Sequence, residues 1–230
     1  MTLRRAGIAG LLFFLGLGTI SGLLFLAAFQ FRLDWFADPS PMVAAGPASA
    51  ELLRWASVAD LFSYYLPTGV VAYVLWAVLR ARASVVADLA TLSAFGYVLV
   101  GGAAATTLAF VGPRLMHEHA ASGADRAAVA VAFGVLAEVV FAAIWQFLDA
   151  WLLAFWWLGI GVLLRRTQPG FARLSLALSA VAAIGSAFTL LDLEFARYAG
   201  LGLFFGLWIA WSVWLLVLLW RRRAPFAGLG

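Results

Sequence analysis

The chain reads as an all-α bundle of six transmembrane helices, the fourth unusually long and projecting outward, with both termini cytoplasmic. Three observations predict this fold. Hydrophobic residues make up 65% of the 230 and charged residues only 11%, with a mean hydropathy of +1.01, whereas soluble domains carry about a quarter charged residues. Several apolar runs exceed the ~20 residues that a helix needs to cross a bilayer. The runs are continuous rather than alternating, which selects helices over a barrel as the way to satisfy every backbone group inside lipid. The whole chain, 1–230, is expected to form one transmembrane domain.

The first apolar run, 7–31, follows Arg4 and Arg5. A signal peptide starts similarly but has an apolar core of only ~7–15 residues, so this run is expected to remain as a helix. The connection over 32–54 carries Pro39, Pro41, Gly46 and Pro47 and is the longest. The second span, 55–79, ends at Arg80 and Arg82. The third, 85–111, follows Ser84, an N-cap residue by type, with Asp88 placed to complement the helix start. After the connection GPRLMHEHAASGADR comes the run 127–164, closed by Arg165 and Arg166. Pro169 and Gly170 break the chain before spans at 174–191 and 198–220, the last ending in Arg221, Arg222 and Arg223.

Charge placement supports that count. Six spans gather ten arginines on one side: Arg4, Arg5, Arg80, Arg82, Arg165, Arg166, Arg173 and the Arg221–Arg223 cluster. Arg32, Arg54, Arg114, Arg126 and Arg197 lie on the other, among Asp34, Asp38, Glu51, Glu118, Asp125, Asp192 and Glu194. The arginine-rich side is cytoplasmic by the positive-inside rule. Splitting 127–164 into two spans would move the later arginines outside, so one long helix is the better reading.

That helix would be ~55 Å long against a ~30 Å hydrocarbon core. Pinned at Arg165 and Arg166, it places Glu138 ~40 Å above its cytoplasmic end and Asp149 ~24 Å above it. Asp149 is then within the outer half of the membrane, and Glu138 at or beyond the surface. At 100° per residue the two acids are nearly eclipsed, within ~20°, with Trp145 on the same line and Gln146 offset by ~80°. They stand ~16 Å apart along the axis, too far for a catalytic dyad without another helix.

The second span supplies Ser57, Asp60 and Tyr64 at i, i+3 and i+7, and Pro67 deprives the Ser63 carbonyl of its donor. Thr106, Thr107, Thr189 and Arg197 lie at similar depth, which allows a polar cluster opening outward. Asp149, Gln146, Glu138, Asp60 and Tyr64 are therefore the candidate substrate or proton site. An ionised carboxylate at mid-bilayer costs ~2.5–3.5 kcal/mol on insertion scales. Asp149 is either a proton, cation or substrate site, or a protonated acid bonded to a neighbouring helix. For Glu138 and Asp60, solvated or capping roles are the plainer reading.

His117, Glu118 and His119 offer part of a metal shell, but their spacing matches no metalloprotease pattern and only Asp125 stands by as a further ligand. Gly18 and Gly22, Gly101 and Gly102, and Gly202 and Gly206 fit small-residue helix packing. Close packing within one bundle is the plainer reading there, with a dimer interface as the alternative. Trp208, Trp211 and Trp214 wind around the last helix, while Trp55, Trp76 and Trp220 suit interface anchors.

Much chemistry is excluded. There is no cysteine and no lysine, hence no thiolate site, Schiff base or phosphate-binding lysine. The histidines lie outside the apolar runs, which argues against haem between helices. Glycine-rich phosphate loops and Ser/His/Asp sets are missing. No cofactor is expected, and no nucleic acid, since orientation and anionic lipid account for the arginines.

The segment AFWWLGIGVLLRRTQPGFARLSLALSAVAAIGS, together with FGLWIAWSVWLLVLLWRRR, resembles the bacterial six-helix proteins catalogued as domain of unknown function 4386. The likeness covers the last third, in an apolar helix ending in arginine, a proline turn and a small-residue helix. It implies six helices and carries no functional residue; a bacterial inner membrane is expected as the location.

Three functions remain. The favoured one is a non-enzymatic bundle that binds a lipid, a membrane-protein partner or a second copy of itself. The second is a small transporter or proton-coupled permeation protein built around Asp149. The third is an intramembrane enzyme or metal site using Glu138, Asp149 and the histidines.

Overall fold

The structure, a computed structural model, describes residues 2–36, 38–191 and 193–228, and for 194–201 the backbone only. Six helices are long and apolar enough to cross a membrane, and the described residues contain no strand. They are α1 (Leu3–Ala28), α2 (Pro47–Leu79), α3 (Ser84–Ala120), α4 (Arg126–Leu164), α5 (Pro169–Leu190) and α6 (Glu194–Trp220). Each packs on the next, and α6 returns to α1, so the helices close into a ring. Both chain ends lie at one end of it: a side chain at Gly7 would meet Leu219.

The helix ends depart from expectation where tertiary contacts outweigh local signals. Thr2 caps α1, accepting from the Arg5 amide, and α1 stops at Ala28, where Gln30 and Phe31 turn into the left-handed region. α2 begins at Pro47 rather than at 55, because proline is preorganised for a first helical turn and Ser49, Ala50 and Leu53 find buried positions. α3 runs through Pro113 to Ala120 instead of ending at 111. Pro113 is buried, and Leu53 packs against the bare face of the preceding Gly112. Ser84 does not cap α3; the cap position is Ala83. Asp88 accepts from Trp76 Nε1 at 2.6 Å and Arg80 Nε at 3.2 Å, so it ties α3 to the end of α2.

α4 is the longest helix at 39 residues, but α2 and α3, with 33 and 37, rise beside it. His117 of α3 pairs with Glu51 of α2 at 3.2 Å at that end. The long polar connection is ordered rather than loose. It forms two 3-10 turns, Leu33–Phe36 and Ser40–Ala44, that bury Trp35, Met42 and Val43 over the helix ends.

Two stretches are wound as π-helix, with i→i+5 bonding and wider turns: Leu61–Tyr65 within α2 and Glu138–Leu148 within α4. The first has a local cause. Pro67 cannot donate to the Ser63 carbonyl, and its ring crowds that oxygen; the widened turn relieves this, with the Leu66 amide reaching back to Leu61.

Two apolar cores result. One surrounds Trp156, Trp157, Phe171, Trp208 and Trp211 near the chain ends. The other surrounds Phe29, Trp35, Leu108, Phe133 and Phe141 beneath the 3-10 turns. Trp208 and Trp211 thus belong to the core, while Trp55 and Trp220 are exposed. Gly18, Gly101 and Gly102 pack inside the bundle, whereas side chains at Gly22, Gly202 and Gly206 would meet nothing within 4 Å. These three glycines do not pack helices within the bundle: Gly202 and Gly206 lie on the exposed face of α6, and Gly22 borders a cavity.

Candidate functional site

Between the two cores lies a cavity of about 570 Å³, walled by α1, α2, α4, α5 and α6 and by Tyr97 of α3, with Phe36 of the first 3-10 turn also lining it. Both π segments border it. The first contributes Tyr64 and Tyr65, with Asp60 just before it; the second contributes Phe141, Trp145 and Gln146, with Asp149 just after it. Wide turns are frequent at functional positions because they re-aim side chains that a regular helix would direct elsewhere.

Asp149 is the most constrained polar group. It is 3% exposed. Its Oδ2 accepts from the Tyr65 hydroxyl at 3.1 Å, while its Oδ1 is buried without a hydrogen-bond partner. The pair fits against α3 because residue 101 is glycine: any side chain there would collide with both the Tyr65 ring and the Asp149 carboxyl. Asp60 accepts from Ser21 Oγ at 3.4 Å, and that hydroxyl also reaches the Ala56 carbonyl at 3.1 Å. Gln146 Nε2 donates to the Phe36 carbonyl at 3.1 Å, joining α4 to the loop that covers the cavity.

Aromatic rings make a large part of the wall. Tyr65 and Tyr97 lie 4.8 Å apart between ring centres, Tyr97 and Trp208 6.2 Å, and Tyr64 and Trp208 5.5 Å. Tyr64 also donates to the Gly18 carbonyl at 3.4 Å, in space that a side chain at Gly18 would take. On the other side α5 presents Ala182, Gly185, Ser186 and Thr189. Leu23, Phe205 and Ile209 line the cavity and are 59%, 41% and 52% exposed, so they form its rim on the flank of the bundle.

The structure therefore brings Asp149, Gln146, Asp60 and Tyr64 together and leaves Glu138 out. Glu138 is exposed and does not line the cavity. The expected alignment of Glu138 with Asp149 assumed 100° per residue, and eleven residues of wider winding change that phase. Ser57 bonds back to the Leu53 carbonyl, and Thr106 and Thr107 bond back within α3; none of the three lines the cavity. Thr189 does line it, and the Arg197 side chain lies outside the described residues.

His117, Glu118 and His119 occupy the last turns of α3. His117 faces Glu51, Asp125 caps α4 by accepting from the Ala128 amide, and no group of three metal-ligating side chains forms among the described residues. Sequence reasoning missed Ser21, Tyr65, Tyr97 and Gly185. Only Tyr65 carried a signal, being adjacent to Tyr64 beside a proline.

No known protein family, curated protein or solved structure matches this chain.

Proposed function

We propose that this protein is a multi-pass membrane binding protein that holds one small amphiphilic molecule in the cavity between its two cores. One observation carries the reading: a drug-sized cavity rich in aromatic residues is lined by Asp149, one of whose carboxyl oxygens is buried with no partner. Binding sites for small molecules commonly measure 300–1,000 Å³ and combine apolar walls with a few convergent polar groups. A buried acceptor without a donor costs ~1–3 kcal/mol, which a bound head group would offset. The exposed rim at Leu23, Phe205 and Ile209 supports entry from the lipid phase.

The same proposal sets both termini in the cytoplasm of a bacterial cell, spanning the inner membrane, on the bias of ten arginines against five. The resemblance to domain of unknown function 4386 belongs to this part of the proposal. Because the chain has no cysteine, single cysteines placed near Pro169 and His117 report sidedness cleanly. Labelling of both from one side would overturn the orientation.

Occupancy is tested by native mass spectrometry of the protein released from nanodiscs. A single small adduct is expected on the wild type. It should be lost in Gly185→Phe, which fills the cavity from a position where a side chain meets nothing within 4 Å. Equal retention in the filled variant, or an empty wild type, would sink the reading.

A further inference from the structure

The polar chemistry of the cavity is one-sided. Its wall holds two carboxyl groups, Asp60 and Asp149, and no arginine or histidine among the described residues. Asp149 Oδ1 is buried and offers only an acceptor, and Asp60 is engaged by a single hydroxyl from Ser21. The surrounding surfaces are the faces and edges of Tyr64, Tyr65, Tyr97 and Trp208. Rings of this kind attract cations through their negative faces, more strongly where water is excluded.

Resting on the binding reading above, we infer that the ligand is a lipophilic amine: an apolar body with a positively charged ammonium head set against Asp149 and Asp60. The ammonium donates to the Asp149 carboxylate, a charge-assisted bond stronger than one from a neutral hydroxyl. An anionic head would instead meet two carboxyl groups and no compensating cation in the described wall. The apolar body extends between Phe14, Phe25, Phe141 and Leu153, which also line the cavity.

The test uses the full chain in nanodiscs of neutral lipid, titrated with dodecylamine, dodecanol or dodecanoate and followed by tryptophan fluorescence. The three share a tail and differ in head-group charge and donors. Dodecylamine is expected to bind about tenfold tighter than dodecanol, with dodecanoate weakest. Asp149→Asn should erase the advantage of the amine, and Asp60→Asn should reduce it. If Asp149→Asn does not fold, Asp60→Asn and Tyr65→Phe decide, with thermal unfolding as the check on integrity. Equal binding of amine and alcohol, or tighter binding of dodecanoate, overturns this inference and leaves the cavity reading standing. An amine preference that survives in the folded acid variants overturns it as well. Binding of none of the three, with Gly185→Phe indistinguishable from wild type, overturns both.

Discussion

The two halves of α4 solve opposite problems with similar residues. From Asp149 to Leu164 the helix is regular and buries Trp156, Trp157, Ile160 and Leu164. Gly159 and Gly161 let Ala90 of α3 and Leu176 of α5 approach so closely that side chains at 159 or 161 would collide with them. Trp157 is wholly buried among Trp156, Phe204, Trp208 and Trp211. From Glu138 to Leu148 the helix is wound wide, and Phe141 and Trp145 pack on the second core while also bordering the cavity. Large residues beside small ones close the first half. In the second, wide winding and the small residues of α5 leave the cavity. Stability and ligand space therefore sit in adjacent stretches of one helix.

The strongest way to break this contrast is in the closed half. Trp157→Ala should destabilise the protein by about 3–5 kcal/mol, the range for deleting a large buried aromatic, read as a lowered thermal midpoint in detergent. Trp157→Phe should cost less, since the Trp157 indole nitrogen has no partner to lose. A harmless Trp157→Ala would mean that this half is not the stable one.

Gly161→Val should cost about 1–3 kcal/mol as overpacking, because its Cβ would fall 2.7 Å from Leu176 Cγ and 3.1 Å from the Ala172 carbonyl. Gly101→Ala belongs in the same range but acts across the boundary, displacing Tyr65 from Asp149. It should impair amine binding as well as stability, and loss of stability alone would argue against the pair's role in the site.

Gly185→Phe should change stability by only about 0.5 kcal/mol or less, since it enters open space, while abolishing ligand retention. A large destabilisation there would show that the cavity closes in solution.

The smallest effect is expected in the connecting loop. Arg32 donates to Asp34 Oδ2 at 2.6 Å, and that bond holds the Asp34 carboxyl below the usual carboxylate range. A lowered value means the pair contributes above the unfolded-state pKa of ~3.9 and is lost as pH falls through the lowered one. Both side chains are more than half exposed, so the contribution is slight. Arg32→Ala should leave the melting temperature unchanged between about pH 5 and 7. A clear drop would assign the loop over the cavity a larger part in holding α4.

Particular residues show what could be read in advance. Asp60, Tyr64, Gln146 and Asp149 are polar groups in apolar runs, and each reaches the cavity. Glu138 carried the same signal and does not, because the phase of a helix across a wide stretch is not encoded in residue spacing. Tyr97, Gly185 and Trp208 looked like any packing residues, since a cavity wall and a core draw on the same side chains. Pro47 and Pro113 read as parts of connections, yet both lie within helices whose outer turns pack on one another.

By itself the sequence determined that the chain is helical, with six segments long enough to cross a bilayer. That property is local: it depends only on the length of apolar chain set against the thickness of lipid. Only the tertiary structure decided how far α2 and α3 extend, which acid turns inward, and where empty space remains. Those outcomes depend on how neighbouring helices meet, and a Gly101 that admits Tyr65 and Asp149 has meaning only when three helices are in place.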